Sequence, residues 1–147
     1  LEGPPELTAA NRTAAMRMIF VNLPIKSAVA SKAFFEALGF TFNPKFSSDD
    51  TLCLVISDTI FAMLLEEKRF KDFINGEIAD PNTTEVLTCL SCESRQEVDD
   101  LVARAKAAGA TDWKPSADMG FMYYGSFRDL DGHAWELMWM DPAAANG

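Results

Sequence analysis

Several classes of function are excluded by what this 147-residue sequence lacks. It has one histidine, His133, and three cysteines, Cys53, Cys89 and Cys92. A thiol nucleophile would have to take His133 as its base, and no second Cys pair completes a zinc site around Cys89 and Cys92. An odd number of cysteines, two of them in apolar strand-like runs, reads as reduced thiols packed as small hydrophobes. Basic residues are few: 13 Lys and Arg against 22 Asp and Glu leave a formal charge of −9. No basic stripe is present for nucleic-acid phosphates to meet. No apolar run approaches the roughly 20 residues that a membrane-spanning helix needs, and the N-terminus lacks the basic-then-apolar order of a signal peptide. The expectation is a cytoplasmic protein without nucleic-acid or membrane partners.

What is present is a packed single domain. Hydrophobic residues make up 48% of the chain, ample for one core at this length. Residues 1–17, with Gly3, Pro4, Pro5 and an Ala-rich remainder, show no apolar periodicity and are expected to be an extension, native or artificial, outside the fold. The domain is expected over residues 18–141, followed by a tail at 142–147.

The most informative stretch is Phe127–Met140. Asp129, Asp131 and Gly132 are turn formers, and the following run of Ala, Trp, Glu, Leu and Met reads as a strand. Alternation puts Ala134, Glu136, Met138 and Met140 on one face, and His133, Trp135, Leu137 and Trp139 on the other. His133 therefore reads as structural, beside the turn.

From Met18 a first strand is expected to end at Pro24, with Phe20 and Asn22 sharing a face. Ser27 caps a helix that Gly39 stops. Strands follow at Phe40–Phe46, Leu52–Ile56 and Ile60–Leu65. A charged connection over residues 66–84, with Phe70, Phe73 and Ile74 at helix-like spacing, is a linker, a lid or a subunit contact. The pattern then begins again: a strand at Glu85–Leu90, a helix capped by Ser94 with Glu97 in capping-box position and stopped by Gly109, then strands near Trp113, at Phe121–Arg128 and at Ala134–Met140. Ser27 to Ser94 and Gly39 to Gly109 span nearly equal offsets, 94 − 27 = 67 and 109 − 39 = 70 residues. An internal duplication of a βαβββ module, at about 18–65 and 85–140, accounts for this. The predicted class is α+β: a curved mixed sheet with helices on its outer face and a concave cleft.

Parity places Glu85 with Leu87 and Cys89, so Glu85 and Glu136 are both candidates for the concave side, together with Phe20, Asn22, Met63 and Met138. Two carboxylates among apolar neighbours call for a cation, a metal or a shared proton, because an unpaired buried charge costs several kcal/mol. Pairing Phe127 with Ala134 would bring Tyr123 onto the face of Glu136, and a one-residue slip would substitute Tyr124. Arg128 reads as a turn ion pair with Asp129.

Two segments carry a resemblance to a known superfamily. Val21–Ile25 with Ser31–Phe40 resembles the first strand and helix, and Phe127–Leu137 the last hairpin, of the glyoxalase, bleomycin-resistance and extradiol-dioxygenase group, the vicinal oxygen chelate superfamily. The resemblance covers residues 18–141. It implies duplicated βαβββ modules, a small-molecule site in the cleft and a homodimer. It also implies metal-ligand positions on the first and last strands of each module. Glu85 and Glu136 occupy two of these, and the other two fall near Phe20 and Met63, which do not bind hard divalent cations. A protein that binds a small molecule without a tightly held metal is one expectation. A lyase, isomerase or dioxygenase using a divalent metal on Glu85 and Glu136 is the alternative, and a metal-free enzyme with one of these carboxyls as general base is a third.

Overall fold

The computed structural model describes residues 17–145, and most of the expected N-terminal extension lies outside them. The first module comprises β1 (Ile19–Ile25), α1 (Ala28–Ala37), β2 (Thr41–Phe42), β3 (Thr51–Val55) and β4 (Ile60–Glu66). A short helix α2 (Glu67–Lys71) opens the connection. The second module comprises β5 (Leu87–Cys92), α3 (Arg95–Ala107), β6 (Ala117–Asp118), β7 (Met122–Arg128) and β8 (Ala134–Met140), and a final turn of helix, α4 (Pro142–Ala145), follows.

The described residues form two four-stranded sheets of identical order, β1-β4-β3-β2 and β5-β8-β7-β6. In each, the first and last strands pair in parallel and the remainder antiparallel. The duplicated α+β architecture expected from the repeat is present.

Local chemistry explains the boundaries. The Ser27 hydroxyl accepts from the Ala30 amide at 3.1 Å to start α1, and the Ser94 hydroxyl accepts from the Glu97 amide at 3.0 Å to start α3. Gly39 and Gly109 stop these helices with φ of 97° and 113°, values open to glycine at little steric cost. Three strand expectations in these modules need correction. The strand expected near Trp113 forms instead at Ala117–Asp118, and an isolated Thr111–Arg128 bridge precedes it. β1 does not end at Pro24 but runs through it to Ile25, because β1 is an edge strand and the missing amide need not face a partner. The strand expected over Phe40–Phe46 shrinks to two residues. Pro44 cannot donate to a ladder, and a 3-10 turn at Pro44–Phe46 forms instead, with the Asn43 side chain accepting from the Lys45 amide at 3.0 Å.

One hydrophobic core spans both modules. Phe34 of α1 meets Phe127 of β7 edge-on at 6.0 Å between centroids, and Phe35 meets Trp135 of β8 at 5.7 Å. Phe127 and Trp135 are fully buried, each contributing roughly 3 kcal/mol of apolar burial. Helix α1 is thus the wedge that makes two small sheets into one body. The β7–β8 turn locks it: Asp131 accepts from the Lys26 amide at 2.8 Å and from the Ser31 hydroxyl at 3.5 Å, just ahead of and within α1.

Candidate functional site at the module junction

The turn Asp129–His133 is built around one carboxylate. Buried Asp129 accepts from the amides of Asp131 and His133 at 2.9 and 3.0 Å and from the Trp135 indole at 2.9 Å. Gly132, with φ of 85°, lets the chain turn back into β8. Burial is the largest influence on Asp129 and pushes its carboxyl above the usual range against these hydrogen bonds. The expected ion pair between Arg128 and Asp129 does not form. With Asp129 turned inward, Arg128 donates instead to the carbonyls of Gly132 at 3.3 Å and Pro81 at 2.6 Å.

This turn aims the His133 ring at the junction between β1 and the start of β5. His133 donates through Nδ1 to the Glu85 carboxylate at 2.5 Å and through Nε2 to the Pro24 carbonyl at 2.6 Å. The Pro24 carbonyl only accepts, so Nε2 carries a proton, and where Glu85 is ionised Nδ1 carries one as well and the ring is an imidazolium. Burial pulls the His133 pKa down. Asp129, the Pro24 carbonyl and Glu85 together outweigh burial and hold it above the ordinary value. His133, at the end of the turn just before β8, is buried as a structural residue, and it joins the two modules.

Beside this bond lies a partly open cavity of about 390 Å³. One wall is the end of β1, including Asn22 and Pro24, and another is Glu85, Val86 and His133. Phe70 of α2 and Ile74, Glu77 and Ile78 of the connection that follows close it. These connection residues were not anticipated as site residues. The signal was present, since Phe70, Ile74 and Ile78 recur every four residues and are the half-buried positions of this segment. It is not a helical stripe, because α2 ends at Lys71.

The other sequence-predicted residues distribute over the two open sheet faces. Phe20 stacks on Phe61 at 4.9 Å, and Met63 lies opposite Asn22 across β1 and β4. Glu136 lies opposite Cys89 and Ser126, and Met138 opposite Ser91 and Tyr124. The expected placement of Tyr123 is corrected. β7 pairs Phe127 with Trp135, one residue from the assumed register, so Tyr123 pairs with Trp139 and turns to the helix side, where its hydroxyl donates to Asp99 of α3. Tyr124 takes its place beside Met138. Glu85 is also displaced from expectation, since β5 begins at Leu87 and Glu85 sits in the bend before it.

The residues at the expected metal positions do not fit a chelate. Among the described residues, no three His, Cys, Asp or Glu side chains gather closely enough to share an ion, and Glu85 is bound to His133. A larger open groove of about 940 Å³ runs between α1 and the β2–β3 edge. None of the sequence-predicted residues lines it, and its Lys32 and Glu36 face each other at 4.0 Å with both side chains about half exposed. The smaller junction cavity, where polar groups from both modules converge, is the better candidate.

The fold belongs to a recognisable class. The chain has the fold of glyoxalase, bleomycin-resistance and dioxygenase structures, as the two sequence segments implied. A hypothetical protein from S. aureus is 26% identical with a TM-score of 0.71, over 86% of this chain and 98% of that one. A glyoxalase/bleomycin resistance protein/dioxygenase family enzyme from Burkholderia phytofirmans is 20% identical with a TM-score of 0.68, over 82% and 96%. A glyoxalase-related enzyme from Fulvimarina pelagi is 20% identical with a TM-score of 0.70, over 84% and 87%. No protein-family model matches the chain, and no curated protein matches it. Among the described residues, no helix is long and apolar enough to cross a membrane.

Proposed function

We propose that this protein binds a small organic molecule in the cavity at the module junction, without a tightly held metal. Asn22 and Glu85 serve as polar contacts. Phe20 and Met63, on the open face beside Asn22, and Glu136 and Met138 on the second sheet are the outer contacts for a larger ligand. The observation that carries this reading is the engagement of His133 and Glu85 with each other beside a largely apolar cavity. A general base needs a free lone pair or an uncompensated carboxylate, and this pair offers neither while it is intact. The site therefore favours binding over proton transfer. We also propose a homodimer, supported by the exposed Met18, Ile19, Phe20 and Ile60 at the β1 edge, which sedimentation equilibrium tests.

The test of the site is a fragment titration of the full chain followed by amide NMR. Shifts concentrated at Asn22, Ile74, Glu85 and Val86, and lost on Ile78→Trp, are expected. Shifts confined to Phe40, Phe42 and Leu52, along the α1 groove, would move the site elsewhere.

A further inference from the structure

The junction cavity has an asymmetric charge. Its walls are apolar for the most part, with Leu23, Pro24, Phe70, Ile74, Ile78 and Val86 around it. Its titratable side chains are Glu77, Glu85 and His133. Glu85 and His133 neutralise each other through the 2.5 Å bond. Glu77, on the exposed rim, forms none of the ion pairs of the described residues. No Lys or Arg lines the cavity. One negative charge is thus left over at the mouth of a pocket large enough for a single aromatic or short aliphatic body.

We infer that the ligand of this cavity is an organic ammonium with a compact apolar body, and that Glu77, on the connection between the modules, recognises its charge. The inference rests on the binding proposal above and adds the ligand class and the residue that selects it. The geometry divides the work. The apolar walls take the body of the ligand out of water, and the Glu77 carboxylate meets the ammonium at the rim, where the cation keeps part of its hydration and its desolvation cost stays small. An anionic ligand meets Glu77 with no compensating cation, because no Lys or Arg lines the cavity and both ring nitrogens of His133 are engaged by Glu85 and the Pro24 carbonyl. The chain's formal charge of −9 adds a long-range bias of the same sign for cationic ligands.

The experiment uses three probes of one shape on the full chain: phenethylamine, its neutral counterpart 2-phenylethanol, and hydrocinnamate. Each is titrated by amide NMR against wild type and Glu77→Gln, and the exposed position of Glu77 means that the variant keeps the fold, which its amide spectrum checks. Phenethylamine is expected to bind about fivefold more tightly than 2-phenylethanol, and hydrocinnamate more weakly than either. Glu77→Gln should remove the preference for the amine and leave the alcohol unchanged. The preference should also shrink between low and physiological salt. If the alcohol binds in the cavity as tightly as the amine, or the variant keeps the preference, the assignment of Glu77 is overturned while the binding site stands. If no probe of any charge shifts the cavity residues, the binding proposal falls and this inference with it.

Discussion

His133 donates through Nε2 to the carbonyl of Pro24, 109 residues earlier, at 2.6 Å. The bond ties the last hairpin of the second module to the opening strand of the first. With Nδ1 on Glu85, the folded state favours the charged ring, and the pH dependence follows. The folded-state pKa lies above the ordinary 6.5, so the stabilisation is fully present below about 6.5 and is lost as pH rises through the raised value. Unfolding free energy measured by urea titration is expected to fall across that window, and His133→Gln should flatten the fall. The variant should also lose about 2 kcal/mol below pH 6, since it leaves a partly buried carboxylate short of its partner. Nitrogen-15 NMR should show both ring nitrogens protonated at pH 6. A neutral ring there would overturn the imidazolium assignment.

Gly125 is required for a different reason. A Cβ at this position would lie 2.9 Å from Val102 Cγ2, 3.1 Å from Ser116 Oγ and 3.2 Å from Val98 Cγ1. β7 therefore approaches α3 as closely as a bare backbone allows. Gly125→Ala is expected to cost about 1–3 kcal/mol in chemical denaturation, and pairing it with Val102→Ala should recover part of the loss. Equal costs in both backgrounds would place the strain elsewhere.

Metal content separates the binding reading from a chelate mechanism. Protein purified without chelator is expected to hold nickel, zinc, manganese and iron well below one equivalent by elemental analysis, with Glu136→Ala unchanged. Near-stoichiometric metal in the wild type that disappears in the variant would send the assignment to metal-dependent chemistry.

The cysteines should behave as one accessible thiol and two hidden ones. Cys89 is exposed on β5, while Cys53 and Cys92 are buried. Burial pushes the Cys92 thiol up to about 11, with Glu97 and Cys89 adding to the effect. Burial, and then Glu136, raise Cys89 as well. Ellman's reagent at pH 8 is expected to titrate a single thiol slowly in the native protein and three after denaturation. Rapid native reaction of two would contradict the packing of Cys92.

Much of the fold is legible in the sequence because its signals are local. Ser27 and Ser94 mark helix starts through side-chain hydrogen bonds a few residues long, Gly39 and Gly109 mark the stops, and the repeat follows from their spacing. The face of Glu136 and Met138 is equally a matter of period two along one strand. The turn at Asp129–Gly132 is visible for the same reason, since its residues bond within four positions of one another.

The partners of each face were decided only in three dimensions. Tyr123 and Tyr124 are the same residue type at adjacent positions. The choice between them is a register of one residue, fixed where the Asp129 amide donates to the His133 carbonyl at 2.9 Å and held by Phe127 and Trp135 packing against α1. Pro24 looks like a strand terminator until β1 is known to be an edge. His133 and Glu85 are 48 residues apart, and His133 and Pro24 109, so no local pattern announces their bonds. By itself the sequence determined the modules, their caps and their alternating faces, because these depend on hydrogen bonds and periodicities that span a few residues. The tertiary structure alone decided that one histidine joins the modules and that the connection closes a cavity beside it, because those contacts exist only once the shared core has brought distant segments together.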